Sequence, residues 1–179
     1  MSKISKIILV GCIACQFTLV SCRSSNEMSC PAPIDYYLKE DKEGEIYAWN
    51  CIIDRARIYN SAFNGGFMYM RRGVLRSKVG NRYGAIEDFN VVIDKQMISI
   101  SRQVEDAKKK GISENNDEIW KMKKEVGDAY YLRAVVKSDL GDKSGAINDF
   151  QSAAQTYSSI GDTEWYQKSL QAVEMAKNR

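Results

Sequence analysis

The sequence predicts an all-α chain built from helical hairpins, and three observations predict it. The hexapeptide GAIEDF at 84–89 returns as GAINDF at 145–150, matching at five of six positions 61 residues later. Around both copies apolar residues recur at three- and four-residue steps, the spacing of one helix face. Proline, which removes a backbone donor and breaks helices, is confined to Pro31 and Pro33 in 179 residues. A chain of this length supports one domain with a core plus short appendages.

The first element, residues 1–21, reads as a signal peptide. Lys3 and Lys6 precede an apolar run over 7–20 that is too short to cross a bilayer as an ordinary helix. Leu19-Val20-Ser21-Cys22 resembles the lipobox of bacterial lipoproteins, where cleavage falls before a cysteine that then carries acyl chains. Leu9-Val10-Gly11-Cys12 fits the same short pattern but leaves only residues 7–11 after the lysines, so Cys22 is the expected lipidation site. Two or three acyl chains, each methylene contributing about 0.8 kcal/mol, anchor stably where one chain is marginal. The resemblance implies an exported lipoprotein held at a membrane of the bacterial cell envelope. Arg23 follows Cys22 where an aspartate would resemble the inner-membrane retention signal, which leaves the choice of membrane open.

Residues 22–33 are polar, carry both prolines, and read as a tether. Export would permit Cys30 and Cys51 to pair. The alternative for Cys51 is a small buried hydrophobe, because it sits among Trp49, Ile52 and Ile53 in a helical stretch.

The helical domain spans 34–179. Its first part, 34–62, contains EIYAWNCIIDRARIYN and reads as a degenerate repeat whose second helix is the clear one. Two better copies follow at 66–96 and 127–160. Each has an aromatic, an arginine and a small residue in series: Tyr69-x-x-Arg72-Gly73 and Tyr130-x-x-Arg133-Ala134. The small residue allows close helix approach, and Gly80 or Gly141 ends the first helix in a turn. Ala85, Phe89 and Val92, like Ala146, Phe150 and Ala153, then form one face of a second helix. Two helices of this kind cannot bury their faces alone, so the units must stack.

This arrangement resembles the tetratricopeptide repeat, with its aromatic, small residue, turn glycine and Ala-x-x-x-Phe. Arg72 and Arg133 depart from the usual leucine, Arg76 and Lys137 from the usual tyrosine, and neither copy ends in proline. The resemblance implies a short solenoid whose first helices line a groove for a protein or peptide. In that register the partner-binding candidates are Phe67, Met70, Arg71, Val74, Ser77 and Lys78 in one copy. In the other they are Asp128, Tyr131, Leu132, Val135, Ser138 and Asp139.

A tandem array of this family places copies 34 residues apart, so 97–126 reads as an insert. Ile93, Met97, Ile100, Val104 and Ala107 on one side and Ile119, Met122, Val126 and Ala129 on the other continue the helical stripes. The expected structure is a long antiparallel helical extension with helix ends near Lys109 and Asp117, projecting roughly 20 Å at 1.5 Å per residue. Trp120 beside that seam serves either as a partner anchor or in internal packing. Residues 162–177 read as a capping helix, with Asp162 or Thr163 at its start and Trp165, Leu170, Val173 and Met175 as apolar positions.

The composition narrows function. Lys+Arg number 26 against 23 Asp+Glu, and cleavage after Ser21 removes Lys3 and Lys6, so no basic footprint for nucleic acid remains. The absence of histidine excludes imidazole catalysis and histidine-ligated metals. Glu87 and Asp88 are adjacent, about 100° apart on a helix, and read as surface charges instead of an acid/base pair. No phosphate loop, dinucleotide fingerprint or Cys-x-x-Cys metal site occurs in the mature part, so no cofactor and no metal are expected. The expected function is a non-enzymatic adaptor or scaffold, the alternatives being a self-associating structural lipoprotein and an envelope enzyme.

Overall fold

The computed structural model of the chain describes residues 29–58, 65–113 and 116–178. The chain divides into two units, Met1–Cys30 and Pro31–Arg179, and the second contains every described helix. The expected signal peptide and Cys22 lie outside the described residues.

Among the described residues there are seven α-helices and no strand: α1 Pro33–Tyr37, α2 Lys42–Ile58, α3 Gly66–Lys78, α4 Arg82–Lys110, α5 Asp117–Asp139, α6 Lys143–Ser159 and α7 Thr163–Lys177. Each helix packs mainly on its neighbours in sequence, and α3 also touches α5. The result is three consecutive hairpins, α1–α2, α3–α4 and α5–α6, followed by α7.

One turn closes all of these corners. At Gly80, Gly141 and Gly161 the backbone enters the left-handed region, with φ of 85°, 82° and 72°. The next residue's N–H reaches back five residues to a helix carbonyl, as from Asn81 to Arg76, Asp142 to Lys137 and Asp162 to Tyr157. That side chain then caps the following helix: Asn81 accepts from Gly84 N–H, Asp142 from Gly145 N–H, and Asp162 from Trp165 N–H. The α1–α2 corner uses the same bonds, Asp41 N–H to the Tyr36 carbonyl and Gly44 N–H to Asp41 Oδ1. Its left-handed position is held by Glu40, at φ 56°, where the other corners have glycine.

The core forms where the shared turn directs the small and aromatic residues. Tyr69, Ala85, Phe89, Val92, Ile93 and Ala129 cluster with Ile53 and Val136, and Ala134, Ala146, Phe150, Val173 and Ala176 form a second cluster. Burying a side chain the size of Phe89 is worth roughly 1.5–3 kcal/mol. Gly73 is required for this approach, because a Cβ there would lie 2.8 Å from Phe89 Cε1. The other hairpin accommodates Ala134 at the same place, fully buried.

The extension forms as two long helices. α4 runs 29 residues to Lys110 and stops at Gly111 in the left-handed conformation, and α5 starts after Asn116, whose side chain accepts from Glu118 and Ile119 N–H. Ile100, Ile119, Met122 and Val126 pack between them, with Val104 alongside. Met97, expected in this seam, is 47% exposed, and Gln96 takes the buried place with a hydrogen bond to Glu125. The helix pair is also braced from one side, because the Trp120 indole donates to the Ile160 carbonyl at 3.0 Å.

The face of α7 differs from expectation. Ser169, Val173 and Ala176 are the buried residues, whereas Leu170 and Met175 are exposed. The helical period from Trp165 passes through 169, 173 and 176, so apolar character alone did not set the face. In the first hairpin α1 has only five residues and begins at Pro33, and α2 is its long helix.

Candidate binding site

The polar framework of the site comes from the arginines that departed from the repeat pattern. Arg72 Nε and Nη2 lie 3.0 and 2.5 Å from the two oxygens of Asp88, and Arg76 Nη1 adds a third contact at 3.1 Å. Asp88 is 1% exposed, which corrects the expectation that it faces solvent. The second helix buries a wide face, and Arg72 and Arg76 reach across from the first helix to compensate the charge it brings in. The same arrangement recurs 61 residues on: Arg133 Nε and Nη2 contact Asp149 at 2.7 and 2.6 Å, and Lys137 Nζ at 2.8 Å.

Each arginine also ties its hairpin to the preceding one. Arg72 Nη1 donates to Asn50 Oδ1 at 2.8 Å, and Arg133 Nη1 to Asn90 Oδ1 at 2.5 Å. Each guanidinium further lies over its own aromatic, Arg72 over Tyr69 and Arg133 over Tyr130. Burial alone would lower the Arg133 pKa, but hydrogen bonds and charge from Asp149 reverse this and raise it above its ordinary value. The signals that could have revealed this network were in the sequence: Arg72, Arg76 and Asp88 repeat in register as Arg133, Lys137 and Asp149.

Around this framework the first helices present two grooves. One, of about 380 Å³, is lined by Ile34, Tyr37, Trp49 and Phe67 together with Glu45 and Arg71. A polar lobe of about 340 Å³ continues from it past Lys42, Val74 and Lys78. The other groove, of about 280 Å³, lies by Tyr131, Val135, Ser138, Asp139, Phe150 and Met175. Phe67, Arg71, Val74 and Lys78 therefore share one groove, and Tyr131, Val135 and Ser138 the other. Met70 and Leu132 pack instead against the core, Ser77 is half-buried, and Asp128 accepts the Tyr157 hydroxyl at 2.6 Å. Burial, together with that hydrogen bond, pushes the Tyr157 pKa up.

The first groove has a feature the sequence reading missed. Glu45 is 4% exposed, accepting from Arg71 Nη2 at 3.2 Å and the Trp49 indole at 3.3 Å. Trp49 and Phe67 meet edge to face with centroids 5.8 Å apart. The signal was Asp41-Lys42-Glu43-Gly44, which matches Asp142-Lys143-Ser144-Gly145 at three of four positions and places Glu45 at the packing-alanine position.

A further shallow groove of about 310 Å³ lies beside Trp120, Lys123 and Ile160. Trp120 is 42% exposed there despite its hydrogen bond to Ile160. Next to it Lys124 bridges Asp128 and Asp162, the closer contact being 3.1 Å to Asp162. Partial burial opposes ionisation of Asp162, but the Trp165 N–H and Lys124 overcome it and hold the carboxyl below its ordinary range. Burial raises the Glu125 carboxyl above its ordinary range, against the lowering effect of Gln96. Cys30 and Cys51 are both disulfide-bonded.

Among the described residues no group of three or more His, Cys, Asp or Glu side chains could hold a metal, and no helix is long and apolar enough to cross a membrane. No family model, no curated protein and no solved structure matches the chain.

Proposed function

We propose that the protein is a non-enzymatic adaptor of tetratricopeptide type, anchored by acyl chains on Cys22 in the bacterial cell envelope, and that its first helices bind a partner protein or peptide. The observation that carries this reading is the pair of grooves at matching register, one holding Phe67, Val74 and Lys78, the other Val135, Ser138 and Asp139. Phe67 is 58% exposed, and an aromatic of that size on a groove wall gains most when a partner covers it. The disulfide state of Cys30 and Cys51 supports an oxidising compartment, as export through residues 1–21 requires. The repeated turn and the paired arginine–carboxylate sites support a repeat array, with 34–62, 66–96 and 127–160 as its units, 97–126 as the insert and 162–177 closing the stack.

Crosslinking in cells followed by mass spectrometry tests the adaptor role. Recovery of a distinct envelope protein joined through the α3 or α5 face is expected. Recovery of the protein alone would favour the self-associating lipoprotein, for which the α4–α5 extension and Trp120 supply the surface. Lipidation has a separate test: Cys22→Ser is expected to abolish processing and release the protein from the membrane fraction, and unchanged fractionation would remove the anchor from the proposal.

A further inference from the structure

We infer that Glu45 is the receptor for a basic side chain, lysine or arginine, presented by the partner protein; this rests on the reading of the α3 face as a protein-binding surface. The two complete hairpins show what a buried carboxylate in this chain has around it. Asp88 bridges two cations, Arg72 and Arg76, and Asp149 bridges Arg133 and Lys137. Glu45, with a side chain only 5% exposed, has one cation, Arg71.

Both bonds to Glu45 arrive at the same oxygen. Arg71 Nη2 and the Trp49 indole reach Oε1, and Oε2 receives no hydrogen bond among the described residues. Every buried side-chain nitrogen or oxygen there does have a partner. Oε2 is therefore the part of the carboxylate that opens to the grooves Glu45 lines. A carboxylate largely shielded by protein, with one oxygen that has no protein donor, gains from a second, charge-assisted donor.

The short first helix delivers no cation of its own to this hairpin. Counting back from the shared turn, the positions of Arg72 and Arg76 are Ala32 and Tyr36, and α1 starts only at Pro33. Glu45 itself stands at the packing-alanine position of the other hairpins, three residues before the place of Asp88, and it faces a groove whose walls are Tyr37, Trp49 and Phe67. Aromatic faces around a carboxylate suit a lysine or arginine, whose stem packs on the rings while its charge is attracted to them. The neighbouring polar lobe already holds Lys42 and Lys78 beside Glu40, so the cation enters from the aromatic side. Arg71, 41% exposed at the rim, keeps Oε1, as Arg76 keeps its share of Asp88 beside Arg72.

The test is an NMR titration of the folded chain with N-acetyl-arginine amide, followed at the Trp49 indole N–H that bonds to Glu45, with N-acetyl-citrulline amide as the neutral isostere. A saturable shift with the arginine probe is expected, at least tenfold weaker with citrulline and at least tenfold weaker in Glu45→Gln. Phe67→Ala, at an exposed position, should weaken it several-fold without disturbing the fold. Equal response to citrulline, an undiminished response in folded Glu45→Gln, or no shift at the solubility limit of the probe overturns the inference. Failure here with a distinct partner recovered by crosslinking removes the cation site and leaves the adaptor. Saturation here with only the protein itself recovered overturns the adaptor and makes a second copy the source of the cation.

Discussion

Two hairpins of this chain, α1–α2 and α5–α6, share a corner down to its hydrogen bonds and differ in what the corner supports. In α5–α6 a first helix of 23 residues brings Arg133 and Lys137 onto Asp149. In α1–α2 the first helix has five residues, the aspartate position is Ala48, and the carboxylate has moved to Glu45 on the groove wall. A turn motif therefore fixes where two helices meet without fixing how much of the first helix exists. What the truncation removes from the core, it leaves as an open aromatic groove.

The largest expected effect breaks this contrast directly. Asp149→Ala strands Arg133 and Lys137 in a mostly buried place and is expected to cost about 3–5 kcal/mol in urea unfolding. Glu45→Ala leaves Arg71, which can turn to water, and the Trp49 indole N–H on the groove wall, and should cost only about 1–2 kcal/mol. Equal losses would mean that the two carboxylates are structurally equivalent and the contrast is false.

Next in size is the packing position between the helices. Gly73→Ala pushes a methyl to 2.8 Å from Phe89 Cε1, and overpacking at about 1–3 kcal/mol outweighs the helix propensity it gains. Ala134→Gly at the matching position is also expected to destabilise, by about 1 kcal/mol, through lost propensity and a lost buried methyl. Thermal unfolding of the two variants reads both, and a stabilised Gly73→Ala would show that the two interfaces have the same spacing.

The corners themselves provide the third test. Glu40 occupies the left-handed conformation that glycine holds at 80, 141 and 161. Glu40→Gly is expected to stabilise by about 0.5–1 kcal/mol, and Gly80→Ala to destabilise by about 1 kcal/mol. An unchanged midpoint in both would mean that the α1–α2 corner is not under the constraint the others share.

The smallest effect is acid sensitivity at the α6–α7 corner. Asp162 is held below the ordinary aspartate range in the folded state, so its stabilising contribution is complete above the unfolded pKa. It is lost as pH falls through the lowered folded value. Lys124→Ala should therefore reduce stability at neutral pH by a few tenths of a kcal/mol and make the decline into acid shallower. A stability–pH curve parallel to the parent protein would refute the assignment.

The legible part of the fold was local. Gly80 and Gly141 ended helices where the sequence indicated, Asp162 began one, and the break in the extension fell beside Lys109 and Asp117, because capping depends on residues within one turn of the chain. The paired stripes of Ile100 and Ile119, Met122 and Val126 showed that the insert divides between α4 and α5. The faces were less legible where apolar residues sit off the buried period: Met97 gave way to Gln96, and Leu170 and Met175 to Ser169 and Ala176. Of the groove candidates, Phe67 and Val135 were readable as exposed positions, whereas Met70 and Leu132 turned toward the core because a first helix is covered on two sides.

The sequence by itself determined the helical content, the repeated corner and the positions of the long helices, since each follows from neighbours a few residues apart. Only the tertiary structure decided which charges are buried. Asp88 and Glu45 look alike as acidic residues on helices, and what separates them is that Asp88 faces a full first helix that delivers two cations, whereas Glu45, at the packing-alanine position, meets Arg71 alone and lines a groove.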